Sequence, residues 1–212
     1  MVRISTDRYT IPEIDREIGR SSSERRFLDA ALELFSEKGY EAASVREICE
    51  RAGLTRPTLY YFFKSKEGIY RALIEDAAAE FHEQIAQGLE AEQTLERQYQ
   101  RVARVLFGDA RSRAKRWRFM FSLVWATPRM SVVDQVFHTS YCHALQLLGS
   151  ALEAAIARKE IAPGPTEVRL LVFMGSLGEA LSGFLITGRP ELTDRLADSL
   201  VDTIIHGWKP RK

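Results

Sequence analysis

Arg56, Pro57 and Thr58 stand in a row just after Gly53-Leu54-Thr55, within the stretch SVREICERAGLTRPTLYYFFKSKE at 44–67. A guanidinium fork can bond two acceptors at once, as on the N7 and O6 edge of a guanine. The Pro57 ring and the Thr58 methyl offer apolar surface that suits a thymine methyl. Further on, Tyr60, Tyr61, Lys64 and Lys66 carry hydroxyls and ammoniums suited to phosphate oxygens. Phosphate contacts fix position and carry the salt dependence of binding, but they do not choose a sequence. Arg46 is a second candidate base reader. Ser44 is a candidate phosphate donor beside a helix N-terminus.

Two short helices are needed to position these groups. Ser44 and Glu47 have the spacing of a capping box, in which each side chain satisfies a backbone N–H of the other residue. Val45, Ile48, Cys49 and Ala52 follow at helical spacing on one apolar face. Gly53 permits a sharp helix exit, and Leu54 plugs the turn. Thr55 is placed to cap the next helix, and Pro57 fits its first turn, where a missing N–H does no harm. Leu59, Phe62 and Phe63 give that second helix its buried side. Two helices joined by a short Gly-containing turn form a helix-turn-helix. Its second helix lies in the major groove, with its N-terminal residues at the base edges. Taken alone, the same pattern also fits an ordinary αα-hairpin inside a helical core.

The run AGLTRPTLYYFFKSKEGIY resembles the signature of the tetracycline-repressor (TetR) family through Ala52, Gly53, Leu54, Thr55, Leu59, Tyr60, Phe63, Ser65, Lys66 and Glu67. Upstream, ALELFSEKGYEAASVREI resembles the family's first helix and turn through Ala31, Phe35, Gly39, Tyr40, Ser44 and Ile48. The match covers about residues 24 to 70. The resemblance implies that Arg46, Arg56, Pro57 and Thr58 touch bases or nearby phosphates, and the capping Thr55 is counted with them among the expected DNA-binding residues. It implies phosphate contacts for Ser44, Tyr60, Tyr61 and Lys66. Phe62 departs from the family's usual His or Tyr, and a phenyl ring cannot donate to a phosphate, so Phe62 is assigned to packing.

Composition alone does not announce a nucleic-acid partner. The chain has 212 residues, 28% of them charged, and a net charge of +1. Any attraction to DNA must come from local placement, and residues 44–67 hold five Lys or Arg against three Glu. Two widely separated Cys and no signal-peptide pattern lead us to expect a protein of the reducing cytoplasm without a disulfide framework. Arg169 and Glu179 interrupt the most apolar run, 168–187, so a buried helix is expected there rather than a membrane span.

The remaining periodicity is helical, and the expected fold is all-α with about nine helices. Residues 1–22 are polar and irregular, and they are expected to form a flexible arm. A helix-turn-helix domain is expected at 23–68, and a ligand-binding and dimerisation domain at 69–212. The helix at 23–38 is lined by Phe27, Ala31, Leu34 and Phe35. Later stripes are Leu73-Ala77-Phe81-Ile85 and Leu95-Tyr99-Val102-Leu106. Further helices are expected at about 113–126, 130–159, 166–187 and 191–207. The nine-helix count matches the TetR fold.

The resemblance implies that the last two helices pair with their symmetry mates as a four-helix bundle. Leu181, Phe184, Leu196, Leu200 and Ile204 are the expected interface. It also implies a cavity for a small-molecule effector. An aromatic lining suits a mainly apolar ligand. The expected lining is Phe121, Trp125, Tyr141 and Phe173, with His143 or Glu179 as a polar anchor. Arg111, Arg113, Lys115, Arg116 and Arg118 form a basic cluster that reads as a solvated face, the alternatives being added attraction toward DNA or an anionic ligand.

Asp134, His138 and Cys142 share one helical stripe, but one helix offers an ion only two such ligands comfortably, so no metal is expected. No Gly-rich phosphate loop, paired-carboxylate motif or nucleophile elbow occurs, so neither an enzyme nor a cofactor is expected. The expected function is a homodimeric, sequence-specific DNA-binding regulator, most simply a repressor released from a palindromic operator by its effector. The alternative is the same DNA-binding fold controlled by a protein partner or by no ligand.

Overall fold

The computed structural model describes residues 20–90, 92–125 and 131–209, the side chains of 123–125 and 131–138 excepted. The N-terminal arm up to residue 19 and the side chains of Trp125, Asp134 and His138 therefore lie outside the described residues. Among the described residues the structure is all helical, with nine helices and no strand. They are α1 (Ser22–Ala42), α2 (Val45–Ala52), α3 (Arg56–Phe63), α4 (Lys66–Glu90), α5 (Leu95–Ser112), α6 (Ala114–Trp125), α7 (Ser131–Ala157), α8 (Thr166–Thr187) and α9 (Asp194–His206). They form two compact units, one of residues 20–75 with 131–139 and the other of 76–125 with 140–209. The division falls inside α4, whose first turns belong to the first unit.

In the first unit, α1 begins with a capping box, Ser21 with Glu24. Its apolar face buries Phe27, Leu28, Ala31, Leu34 and Phe35. Gly39 interrupts the helix at φ 82°, so the chain turns through Tyr40–Ala43 before α2 starts. Ile48, Leu59 and Ile69 are fully buried, and Phe63 meets Phe27 edge to face with ring centroids 6.1 Å apart. α1, α2 and α3 thus share one small core.

The second unit is built around α5. Its Leu95, Tyr99, Val102 and Leu106 recur every three or four residues and are all fully buried, against Leu148, Phe173 and Val201 of α7, α8 and α9 among others. The Tyr99 ring lies 4.2 Å from that of Phe173, and its hydroxyl donates to the Leu148 carbonyl. Gly88 of α4 is required by close approach, because a Cβ there would stand 2.6 Å from Val102 Cγ2 and 3.0 Å from its backbone N. Arg104 of α5 grips Asp198 of α9 through two bonds of 2.6 Å.

The basic cluster around α6 is not simply solvated. Arg113 and Arg116 both pair with Glu80, Arg111 donates to the Leu192 carbonyl, and Arg118 donates to the Leu185 carbonyl. These cations tie helices of the second unit together. α8 is long and apolar enough to cross a bilayer by length and composition. One side of it nevertheless packs Leu170, Phe173, Leu177 and Leu181 into the core. Its Arg169 is buried, donating to the Ala162 carbonyl and lying over the Trp208 ring.

Candidate nucleic-acid interface

Capping positions α3. Ser44 accepts from the Glu47 N–H, and the Glu47 carboxylate accepts from both the N–H and the hydroxyl of Ser44, the latter at 2.6 Å. The Lys38 ammonium lies 2.5 Å from the other Glu47 oxygen. The Lys38 bond, then those from Ser44, hold the Glu47 carboxyl at a pKa of about 2, well below its ordinary value. Gly53 ends α2 at φ 61°, where an L side chain would be strained, and its N–H reaches back to the Cys49 and Glu50 carbonyls. The Thr55 hydroxyl then caps α3 by accepting from the Thr58 N–H. The spacing Ser44–Glu47 and the order Gly53–Thr55–Pro57 therefore determine where α3 begins.

α3 turns Leu59 and Phe63 inward and leaves Arg56, Pro57, Tyr60 and Tyr61 outward. Tyr61 is 74% exposed, a large apolar surface that the fold itself does not cover. Arg46 is outward on α2, 3.8 Å from Glu50, and Arg56 has an exposed side chain at the first turn of α3. The Thr55 and Thr58 hydroxyls lie 2.8 Å apart, so one donates to the other. Lys64 is exposed just past α3 and donates to the Tyr61 carbonyl. The fold thus brings Arg46, Arg56, Pro57, Tyr60, Tyr61 and Lys64 to the surface on α2, α3 and the turn after α3. Phe62 is half-buried against Tyr61 and Phe63, consistent with packing. Burial raises the pKa of the Cys49 thiol behind this surface, and neither Cys49 nor Cys142 is in a disulfide.

Two expected phosphate contacts are placed differently. The Ser44 hydroxyl hydrogen is committed to Glu47, inside the cap. The Lys66 ammonium is directed at the backbone carbonyls of Tyr40 and Ala43, at 2.9 and 3.0 Å. Sequence alone does not separate Lys64 from Lys66, because a lysine two residues along a turn has the same chemistry.

The residues expected at the effector site and at the dimer interface differ in burial. Phe173 is fully buried against Tyr99, and Glu179 is exposed. Tyr141 is exposed, and Phe121 is half-buried beside Trp117. His143 meets His82 edge to face at 4.7 Å, and its Nδ1 is buried without a hydrogen-bond partner. Leu181 is only 4% exposed and belongs to the chain's own core, so it does not face a partner. Phe184, Leu196, Leu200 and Ile204 form a half-buried flank. The apolar residues that α8 does expose are Val168, Leu171, Val172 and Ile186, which sequence reasoning missed. An all-round apolar helix has no sequence phase to say which side its own fold covers. Among the described residues, no group of three or more His, Cys, Asp or Glu is placed to hold a metal.

Comparison with known proteins bears on this geometry. Residues 27–73 match the sequence profile described as bacterial regulatory proteins, tetR family. The transcriptional repressor KstR2 of Rhodococcus jostii is 37% identical over 91 residues, 41% of this chain and 45% of that protein. The transcriptional regulator UidR of Escherichia coli is 44% identical over 64 residues, 28% of this chain and 33% of that protein. The chain thus spans less than half the length of these curated relatives. Among solved structures, the fatty acid degradation regulator FadR of Bacillus halodurans aligns with a TM-score of 0.77 at 17% identity, over 92% of this chain and 100% of its own. FadR of Bacillus subtilis, in complex with stearoyl-CoA, aligns at 0.75 and 21% identity over 86% of this chain and 98% of its own. These two likenesses establish a shared fold.

Proposed function

We propose that this chain is a regulator of the tetR family, whose profile matches its residues 27–73, and that it represses transcription by binding a specific palindromic operator as a homodimer. The carrying observation is the outward set Arg46, Arg56, Pro57, Tyr60, Tyr61 and Lys64 on a capped helix-turn-helix. Arg56 reads bases from the first turn of α3, and the Thr58 methyl, its hydroxyl engaged by Thr55, offers an apolar contact. Tyr60, Tyr61 and Lys64 hold phosphates. The named relatives are transcriptional regulators, and a helical enzyme has no support among them. The protein acts in the cytoplasm, where DNA is.

The second copy docks on α8. Leu171 and Ile186 are 70% and 79% exposed, and a Cβ on Gly175 or Gly178 would meet nothing within 4 Å. An apolar stripe with small residues suits close packing of two identical helices about a two-fold axis. A two-fold dimer presents two copies of α3 to half-sites about 34 Å apart, or a multiple of that. Leu171→Glu is expected to give monomers in sedimentation; a persistent dimer would move the interface elsewhere.

The effector is mainly apolar and enters the second unit, with His143 Nδ1 as its polar anchor. The stearoyl-CoA held by the Bacillus subtilis FadR makes a long acyl chain a reasonable first probe. The test is selection of operators from random DNA, followed by titration with stearoyl-CoA and palmitate. An enriched palindrome released by either compound supports the whole reading. A palindrome that no apolar compound releases would leave the alternative, a regulator of the same fold answering to a protein partner or to nothing. With no enriched site, the operator-reading assignments fail.

A further inference from the structure

We propose that Lys66 is a positioning residue that holds the reading helices from inside the domain, by capping the end of α1 with an ammonium supplied by α4. The Lys66 Nζ lies 2.9 Å from the Tyr40 carbonyl, 3.0 Å from that of Ala43 and 3.5 Å from that of Glu41. It also stands 4.2 Å above the centre of the Tyr40 ring. An ammonium has three hydrogens, and three carbonyls with one aromatic face use them fully.

The need for such a cap lies in α1 itself. The carbonyls at a helix C-terminus lack intrahelical partners and carry partial negative charge. A nearby cation normally answers them, yet Tyr40–Ala43 after the Gly39 break contains no basic residue, and Lys38 just before it is paired with Glu47. Gly39 has already broken the helix, so Tyr40–Ala43 is a turn in need of external support. Ser44, the cap of α2, follows directly. Whatever sets the Tyr40–Ala43 turn therefore sets the start of α2, and α3 follows through the Gly53 turn.

This inference rests on the DNA-binding reading for its consequence, and it divides the two lysines of Lys64-Ser65-Lys66. Lys64 is exposed and serves the phosphate, whereas Lys66 works inward. A phosphate-binding ammonium is uncovered and adds to the salt dependence; a cap shapes the surface and leaves the salt slope alone.

The test uses the full chain and its Lys66→Met, Lys66→Arg, Lys64→Met and Tyr40→Leu variants. Amide hydrogen exchange of the 40–48 segment is measured without DNA, and operator affinity is measured against salt. Lys66→Met is expected to raise exchange in 40–48 by roughly tenfold and to weaken operator binding with an unchanged salt slope. Lys66→Arg should not restore protection, because a planar fork cannot meet three converging carbonyls. Tyr40→Leu removes the ring and no charge. It should raise exchange in the same segment even if Lys66→Met does not fold. Lys64→Met should make the slope shallower by about 0.9 per subunit without changing exchange. Unchanged exchange in both Lys66→Met and Tyr40→Leu would overturn the proposal. So would a shallower slope in Lys66→Met that arginine restores. If the unmodified chain selects no operator, the DNA-binding reading falls and hydrogen exchange still decides the cap.

Discussion

Tyr61 and Tyr99 are both helical tyrosines among apolar neighbours, yet Tyr61 is 74% exposed and Tyr99 is 0% exposed. In the first unit the large side chains divide, with Phe27, Leu59 and Phe63 inward and Tyr60 and Tyr61 outward on a helix of only eight residues. In the second unit α5 spends its stripe, Tyr99 and Phe107 included, on packing. Outward aromatics there occur elsewhere, as with Tyr141. A short helix held by caps and a three-helix core can keep one face for another molecule. A central helix surrounded by neighbours cannot. The residues proposed to read DNA should therefore be separable from residues that stabilise the fold.

The largest effect is expected from Tyr99→Ala, which empties a fully buried aromatic site and orphans the Leu148 contact. Loss of a buried aromatic should cost roughly 3–5 kcal/mol in denaturant unfolding of the second unit. A loss below about 1 kcal/mol would mean that α5 is not the centre of that core.

Arg56→Ala should do the opposite. Its side chain is exposed, so stability should stay within about 0.5 kcal/mol, while operator affinity drops by roughly 1–3 kcal/mol with relaxed preference at one position in each half-site. Unchanged base preference in a repeated operator selection would remove Arg56 as a reader. Ser44→Ala lies between the two kinds of residue. Removing the α2 cap should cost about 0.5–2 kcal/mol of stability in the first unit and lower operator affinity only through the misplaced helix. Loss of affinity with no loss of stability would instead return Ser44 to a direct phosphate role.

The smallest effect concerns pH. The folded Glu47 carboxyl has its pKa depressed to about 2 from an ordinary 4.5 by Lys38 and Ser44. A depressed acid contributes stability above its unfolded value and loses it as pH falls through the folded one. Melting of the first unit should therefore fall between about pH 4.5 and pH 2, and Glu47→Gln should flatten that part of the Tm curve. Coincident curves for the two proteins would show that the Lys38–Glu47–Ser44 cluster is indifferent to folding.

Local signals carried most of the first unit. The Ser44–Glu47 box, Gly53 and the Thr55 cap are arrangements of neighbouring residues, and their hydrogen bonds lie where the spacing puts them. The all-helical class and the approximate bounds of the later helices were also legible from periodicity, including α8 at 166–187. Phase and partnership at a distance were not legible in the sequence. Leu181 was expected at an interface and lies in the core; Glu179 was expected as an anchor and is exposed. α8 is apolar on all sides, and nothing in its own residues says which side α5 and α9 will cover.

The sequence by itself determined the caps, the turn and the identity of the groups available at the surface of α3, because these depend on residues within one or two helical turns of each other. Only the tertiary structure decided that Lys66 turns inward while Lys64 stays outside. The carbonyls that Lys66 meets belong to Tyr40, Glu41 and Ala43, more than twenty residues earlier in the chain. A charged side chain takes the partner that folding brings within reach, and that partner is not written beside it.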